Sequence, residues 1–443
     1  MITELSAHDR LLFGAIADDL TGGLELASML IARGVPTTLS IGASAPARFG
    51  VAHVFALKSR VAPVSDAVAS TMEALDQLIA RDVRQVFLKY CATFDSTPAG
   101  NIGPCAEAIM DRLRAEQALF VPALCETRRT VYQGHMFGGA QLLAESPKRF
   151  DPLTPMTDSN LVRVLQAQSR RTAGLVDYSV VDQGAEAIRA YCETGRGEAS
   201  LLIADTLSER HLESLAAASA DFPLLTGNSS VAAYLPPLWL ERGLLEAPAP
   251  IMLDGIDGPG AVLVGSLAPQ TAAQLDHFAR SNDVFTIDIE RSYAGDDVLV
   301  EAKAFAAASV AASRDFAIST ALPQERVDTL QAARGRLEIG GKAEDILSEI
   351  ARYITFELGV RRLVVAGGET SGSVVRALGI TDLDIGPYRE PGFSRAVALQ
   401  PFPIALMLKS GKLGGIDIFA TALADMRHPI DEQADLTRWP PKG

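Results

Sequence analysis

FGAIADDLTGGLELASMLIARG, residues 13–34, passes from a short apolar run through an acidic pair and a Thr-Gly-Gly turn into an amphipathic stretch that stops at Gly34. Five apolar or small residues suit one buried strand, and a glycine is a frequent close to a helix. The segment therefore predicts strand, turn and helix, the repeating unit of a parallel sheet with helices packed on it. The alternation continues outward. LLFGAIA, VFALK, RQVFLKY, ALFVPAL, AGLVDYSVV and ASLLIAD each read as a buried strand. Between them SDAVASTMEALDQLIAR sets Val68, Met72, Leu75 and Ile79 at helical spacing.

The pattern breaks after LLTGNSSVAAYL, in PPLWLERGLLEAPAPIMLDGIDGPG, where five prolines and four glycines predict an interdomain linker. A second series follows, with AVLVGS, VFTIDI, FAIST, RRLVVAGGE and PIALMLKSG as strands and AEDILSEIARYITFELG as a helix. The expected fold is α/β with two lobes, each a mostly parallel sheet flanked by helices, and an active site in the cleft between them. The boundaries fall at 1–235, a linker over 236–260, and 261–443. A chain of 443 residues has room for two such cores. No internal repeat is evident in the sequence.

Composition narrows the function. Lys and Arg total 40 against 54 Asp and Glu, a net charge of -14, with no basic run to track a nucleic acid. Anionic ligands would then be met by helix N-termini, backbone N–H groups, a few cations and Mg²⁺. Cys91, Cys105, Cys125 and Cys192 lack metal-ligand spacing, and the six histidines form no HExxH pattern, so no metal ligands are assigned. The first ten residues read neither as an export signal nor as a membrane span, and the expected setting is the cytoplasm.

Six loops carry chemistry. Asp18 and Asp19 follow the first strand, where they can take a hydroxyl proton, bind a substrate or help hold Mg²⁺; equally, one can cap the next helix. KYCATFDSTPAGNIG brings Lys89, Asp95, Ser96, Thr97, Gly100 and Asn101 into a polar loop, with turn chemistry as the alternative. TRRTVYQGHMF offers Arg128 and Arg129 as a bidentate carboxylate clamp, although exposed arginine pairs without such a role are common. VVAGGETSGSVV has the form of a phosphate loop without the Walker A pattern, joined by LKSGKLGG and the VGSLAPQT turn in the same lobe.

Taken together these segments resemble the four-carbon acid sugar kinase family. ADDLTG is similar to its ADD-x-TG motif, KYCATFDSTPAGNIGP to its K-x-DST-x-GN segment, and VVAGGETSG and LKSGKLGG to its nucleotide-binding signatures. Within the family, RTVYQGHMF, LLAES and PLTPMTDSNLVRVLQAQ look most like the 3-oxo-tetronate kinases, and the likeness spans Phe13 to about Ala424. It implies an N-terminal lobe for the sugar acid, a C-terminal lobe for ATP, and transfer to the terminal hydroxyl of a 3-oxo-tetronate. Threonate, erythronate or the branched 3-oxo-isoapionate are the alternative acceptors. Carried over motif by motif, Asp18 and Asp19 would be catalytic, and Thr21, Lys89, Asp95, Ser96, Arg129 and Asp158 would meet the acid. Asp158 can also serve as a helix cap. ATP would meet Ser266, Gly367, Gly368, Glu369, Thr370 and Gly411, with Mg²⁺ as the expected metal.

The chain departs from the family pattern at Cys125-Glu126-Thr127-Arg128, at Glu25 and at the LAPQT turn; the first departure bears on the choice of acid. Phosphoryl transfer depends on alignment and charge stabilisation, so closing lobes and oriented aspartates suffice. A dinucleotide-dependent dehydrogenase would need a fingerprint that is missing here. A non-catalytic sugar-acid sensor would bind the acid without turning over ATP. Expected partners are the small acid and ATP, with neither nucleic acid nor membrane, and a homo-oligomer is left open.

Overall fold

Phe13–Ala17, buried along its whole length, forms strand β1 and is followed by a helix over Leu20–Ala32. The computed structural model describes residues 11–434 except 47, 152, 195–197 and 323. The described residues divide into two compact units, 11–249 with 433–434 and 250–432.

In the first unit β1 is joined by β2 (Thr37–Ile41), β3 (Ala52–Ala56), β4 (Gln85–Lys89) and β5 (Ala118–Val121). A small antiparallel sheet follows, made of β6 (Arg129–Tyr132), β7 (His135–Gly138) and β8 (Gln141–Leu142), and then β9 (Ala173–Val176), β10 (Leu201–Ala204) and β11 (Leu224–Gly227). The main sheet runs β2-β3-β1-β4-β11-β5-β10-β9, parallel throughout. Register levels its carboxyl edge: Ala17 lies opposite Ala56 and Lys89, and Gly227 opposite Lys89 and Val121. From β1 the chain moves to one side for β2 and β3, then to the other for β4. That reversal is the point at which open parallel sheets bind ligands.

The second unit holds β12 (Ile251–Leu253), β13 (Gly260–Val264), β14 (Asp283–Thr286), β15 (Phe316–Ser319) and β16 (Arg362–Ala366). β17 (Asp382–Ile385), β18 (Arg395–Ala398), β19 (Ile404–Lys409) and β20 (Ile430–Glu432) complete it. Its sheet runs β14-β15-β13-β16-β19-β18-β17, with β18 antiparallel to both neighbours and the rest of the row parallel, while β12 pairs with β20 apart from it. Here the reversal falls between β13 and β16.

Several expectations shift. The helix Val64–Ile79 buries Ala67, Thr71, Ala74, Leu75 and Leu78, leaving Val68, Met72 and Ile79 at the core's margin. Small residues on that face let it approach its neighbour, and the Thr71 hydroxyl reaches Cys105 Sγ at 3.5 Å. AGLVDYSVV is a strand only to Val176, because Asp177 then accepts from Ser179 N at 2.8 Å and starts a helical turn. The expected linker opens with a helix, Leu235–Glu241, whose prolines fall in the first turn where no N–H is required. Trp239 there is 2% exposed, and its ring centroid lies 5.5 Å from that of Phe13. Among the described residues no helix is long and apolar enough to cross a membrane.

Candidate active site

The acidic pair stands at the reversal point of the first unit. Asp19 is the N-cap of the helix Leu20–Ala32, with Oδ1 accepting from Gly22 N at 2.8 Å and Oδ2 from Thr21 Oγ1 at 2.9 Å. The cap expected as an alternative to a binding role is therefore present, and it fixes the carboxylate instead of leaving it mobile. Arg60, four residues past β3, donates from Nε and Nη2 to the two oxygens of Asp18 at 2.8 and 2.9 Å. Its Nη2 also lies 2.9 Å from Asp19 Oδ1. Lys89, 2% exposed at the end of β4, brings Nζ to 3.9 Å from Asp19 Oδ1. Burial alone would raise the Asp19 carboxyl, but Arg60, Lys89 and the two hydrogen bonds outweigh it and hold it below the ordinary value of 3.8. The reverse interaction, working against burial, lifts the Arg60 guanidinium well above its usual value. Two carboxylates and two cations thus form one ionised cluster.

Gly22 is required by this packing. A Cβ there would lie 1.8 Å from Lys89 Nζ and 2.5 Å from Asp19 Oδ1. Arg60 itself has no motif signal, since a lone arginine in a loop is ordinary. What places it is backbone: Asp18 O accepts from Ser59 N at 3.0 Å and Arg60 N at 3.2 Å, and Asn101 Nδ2 donates to Ser59 O at 2.7 Å and Ala62 O at 3.2 Å. Asn101 thereby braces the arginine loop.

The loop after β4 carries a second cluster. Asp95 accepts from Thr93 Oγ1 at 2.6 Å and from Lys148 Nζ at 2.7 Å, and the same ammonium meets Asp151 Oδ2 at 3.2 Å. Burial works against the Lys148 charge, but Asp95 and its neighbours outweigh it and raise the ammonium. Phe94, fully buried, has φ 49°, a left-handed conformation that a bulky residue adopts only when its surroundings enforce it. Ser96 is absorbed into packing: its Oγ accepts from Gln168 Nε2 at 2.9 Å, while Gln168 Oε1 accepts from Gly103 N at 3.0 Å. Cys91, within 3.0 Å of Thr93 Oγ1, feels the charges of Asp95, Arg60 and Lys148 together, which ties the two clusters to one neighbourhood. Its thiol is pushed up, chiefly by burial.

Arg129 begins β6, whose hairpin is docked by backbone bonds between Val131 and Thr206 at 2.8 and 2.9 Å. Buried Asp205 clasps the hairpin turn, accepting from Gln133 N at 2.7 Å and Gly134 N at 2.8 Å. Arg129 Nη1 donates to Thr127 Oγ1 at 3.2 Å, and among the described residues no carboxylate meets its guanidinium. Cys125–Thr127 is a short 3-10 turn closed by Arg128 at φ 57°. This is the site of the departing Cys-Glu-Thr-Arg. Glu25, another departure, accepts from Ser229 Oγ at 2.8 Å. Asp158 is engaged locally: Arg163 Nε reaches Oδ2 at 2.8 Å and Nη2 reaches Oδ1 at 2.6 Å, while Asn160 N donates to Oδ1 at 2.9 Å. The Arg163 bonds hold its carboxyl below the usual range. These bonds lie at the approach to the helix Leu161–Ala167, whose N-cap is Asn160.

In the second unit three loops converge on backbone. Ser266 N and Gly265 N, just past β13, both donate to Ala366 O at 3.1 Å. Gly367, φ 131°, is the N-cap of the helix Gly368–Ala377 and provides no side-chain cap to its first turn. Gly368 and Glu369 are exposed, whereas Thr370 is buried and fixed against Gly265, where a Cβ would come within 2.2 Å of its Oγ1. At Gly411 a Cβ would lie 1.9 Å from Ser266 Oγ, and Gly411 O accepts from Thr271 Oγ1 at 2.7 Å. Ser266, the GGET turn and Gly411 are thus one arrangement, and it is made of backbone donors more than of charge.

The comparisons agree with this division of labour. A family model described as a sugar-binding N-terminal domain matches residues 13–235, and one described as a nucleotide-binding C-terminal domain matches 261–419. A 3-oxo-tetronate kinase of Pseudomonas fluorescens Pf-5 is 43% identical over 95% of this chain and 98% of its own length. One from Pseudomonas savastanoi pv. phaseolicola is 44% identical over 94% and 98%. The crystal structure of a Salmonella typhimurium LT2 protein superposes with a TM-score of 0.81 at 34% identity, covering 94% of this chain and 99% of that one. An acidic cluster at the reversal point of the sugar-binding unit, a glycine-built anion cradle in the nucleotide-binding unit, and full-length similarity to kinases lead to one conclusion: the chain belongs to the four-carbon acid sugar kinase family.

Proposed function

We propose that this chain uses ATP to phosphorylate the terminal hydroxyl of a 3-oxo-tetronate, giving the 4-phosphate. The observation that carries this reading is the ionised cluster of Asp18, Asp19, Arg60 and Lys89 at the reversal point of the first sheet. Its carboxylates are oriented acceptors for substrate hydroxyls, and one of them takes the proton of the attacking hydroxyl. Arg129, free of carboxylates among the described residues, is the cation for the carboxylate of the acid. Asp95 and Ser96 are fixed in the loop after β4, and Thr21 holds Asp19 in orientation.

ATP lies with its phosphates at the first turn of the helix that opens at Gly368 and against Ser266 and Gly411. Among the described residues no three His, Cys, Asp or Glu are grouped to hold a metal. The residues fit Mg²⁺ arriving on the nucleotide, held by phosphate oxygens, water and at most one carboxylate such as exposed Glu369. When bound, Mg²⁺ neutralises the charge that builds on the transferred group. The Cys125–Thr127 turn, which ties Thr127 to Arg129, favours a second reading in which the acceptor is a branched acid such as 3-oxo-isoapionate. ADP release measured over 3-oxo-tetronates, tetronates and branched five-carbon acids separates the two. Turnover with none of them, alongside saturable binding of an acid, would leave only a sensor.

A further inference from the structure

Lys409 closes β19 in the second unit and is 0% exposed. Three other buried cations among the described residues face carboxylates: Arg362 meets Asp315 at 2.9 Å, Arg395 meets Asp425 at 3.2 Å, and Lys89 meets Asp19 at 3.9 Å. Lys409 does not. Among the described residues its Nζ has one polar neighbour, Thr271 Oγ1 at 3.5 Å, and otherwise lies 5.8 Å from the centroid of the Phe419 ring. An ammonium offers three donors, so most of its hydrogen-bonding capacity is unused in a place water cannot reach. Burial alone pushes its pKa down to about 8.

Such an arrangement works against the stability of the free protein, and its location suggests what offsets it. The carbonyl of Lys409 accepts from Gly367 N at 2.9 Å, at the head of the exposed GGET turn. The hydroxyl nearest its ammonium, that of Thr271, donates to Gly411 O at 2.7 Å, and Gly411 abuts Ser266. All three loops of the anion cradle therefore touch this residue or its immediate partner. The helix N-terminus attracts an anion by itself, and the unpaired charge beneath it adds an independent demand for one.

We propose that Lys409 is a positioning residue for the nucleotide, its buried ammonium set under the Thr271–Gly411 turn so that the phosphates of a nucleoside di- or triphosphate become its counter-ion. The proposal rests on the second unit being the nucleotide site. It separates Lys409 from a lysine that merely fills the core, because the two roles have opposite consequences for the empty protein. Replacing an unpaired buried charge with a well-packed apolar chain is neutral or stabilising, whereas removing a structural residue is destabilising.

The test uses the full chain with Lys409→Met and Lys409→Gln. Calorimetric titration with ADP and with adenosine, and melting without ligand, are compared with wild type. Expected are a loss of ADP affinity of about thirtyfold, equivalent to about 2 kcal/mol, unchanged adenosine binding, and a KM for ATP that rises more than kcat falls. The ligand-free Met variant should melt at or above wild type. Equal losses for ADP and adenosine, unchanged ADP affinity, or two variants that both melt well below wild type or fail to fold would each overturn the proposal. Wild-type protein that takes up no ADP would instead sink the parent reading of the second unit.

Discussion

The two units share one strand plan and use it for opposite electrostatic ends. In the first, β1 has β3 and β2 on one side and β4 on the other; in the second, β13 has β15 and β14 on one side and β16 on the other. Each puts its ligand loops where that order reverses. At the first reversal the chain spends side chains: Asp18, Asp19, Arg60 and Lys89 compensate one another's charge and are locked by hydrogen bonds. At the second it spends backbone: Gly367 and Gly411 let the loops pack closely, and buried Lys409 has no carboxylate partner among the described residues. On the proposed reading the first site meets a polyhydroxy acid, which is read by short, directed bonds and is served by a rigid, charge-balanced site. A polyphosphate brings its own charge, so its site can leave positive charge and dipole uncompensated until it arrives.

Asp19→Asn strikes the charged side hardest. It keeps the helix cap but removes the charge, and kcat should fall about 10²- to 10⁴-fold, with ATP affinity measured by calorimetry unchanged. Full activity would remove the acid pair from the chemistry. Arg60→Met comes next. It strands two carboxylates in a partly buried site and should cost about 3 kcal/mol in urea unfolding, together with about tenfold or more in kcat/KM.

The pH response of the Arg60 variant carries a sign. Asp19 lies below its ordinary 3.8 in the fold, so its pairing stabilises the protein above about pH 4 and that stability is lost as pH falls through the folded value. Without Arg60 the depression shrinks, and the acid limb of kcat/KM should move to higher pH. An unmoved limb would show that Arg60 does not hold the charge of Asp19.

Gly411→Ala sharpens the backbone side, since its Cβ would lie 1.9 Å from Ser266 Oγ. KM for ATP should rise about tenfold while KM for the acid stays put; a change in the acid's KM instead would blur the division between units. Asp158→Ala should have the smallest effect. Its carboxylate serves Arg163 and Asn160 near the surface, so kinetics should match wild type and Tm should stay within about 2 °C. A selective rise in the acid's KM would return Asp158 to the site.

Much of this was legible in the sequence where one local rule decided it. The strand-turn-helix at 13–34 is visible because apolar run, acidic turn and closing glycine are contiguous, and the glycine loop at 367–372 is visible for the same reason. β11 was missed: Leu224–Gly227 is only four residues long and runs straight into a cap at Asn228, yet it sits between β4 and β5. β17 and β18 escaped because antiparallel strands at a sheet's flank carry no helix between them to mark their spacing. Arg60 and Lys148 escaped for a different reason. They reach the site through tertiary contacts across 42 and 53 residues of chain, and neither lies in a motif. Ser96 and Asp158 carry local partners that no motif announces, Gln168 for the one and Asn160 with Arg163 for the other.

The central claim is that the balanced cluster at β1 receives a four-carbon sugar acid while the glycine cradle supplies ATP. Initial rates of ADP release with saturating Mg-ATP, measured for a 3-oxo-tetronate against its tetronates and a branched acid, test this most directly. The account predicts acid-dependent turnover highest with the 3-oxo-tetronate and a phosphate recovered on its terminal hydroxyl. ADP release that is independent of any acid, or phosphate found on another oxygen, would contradict it.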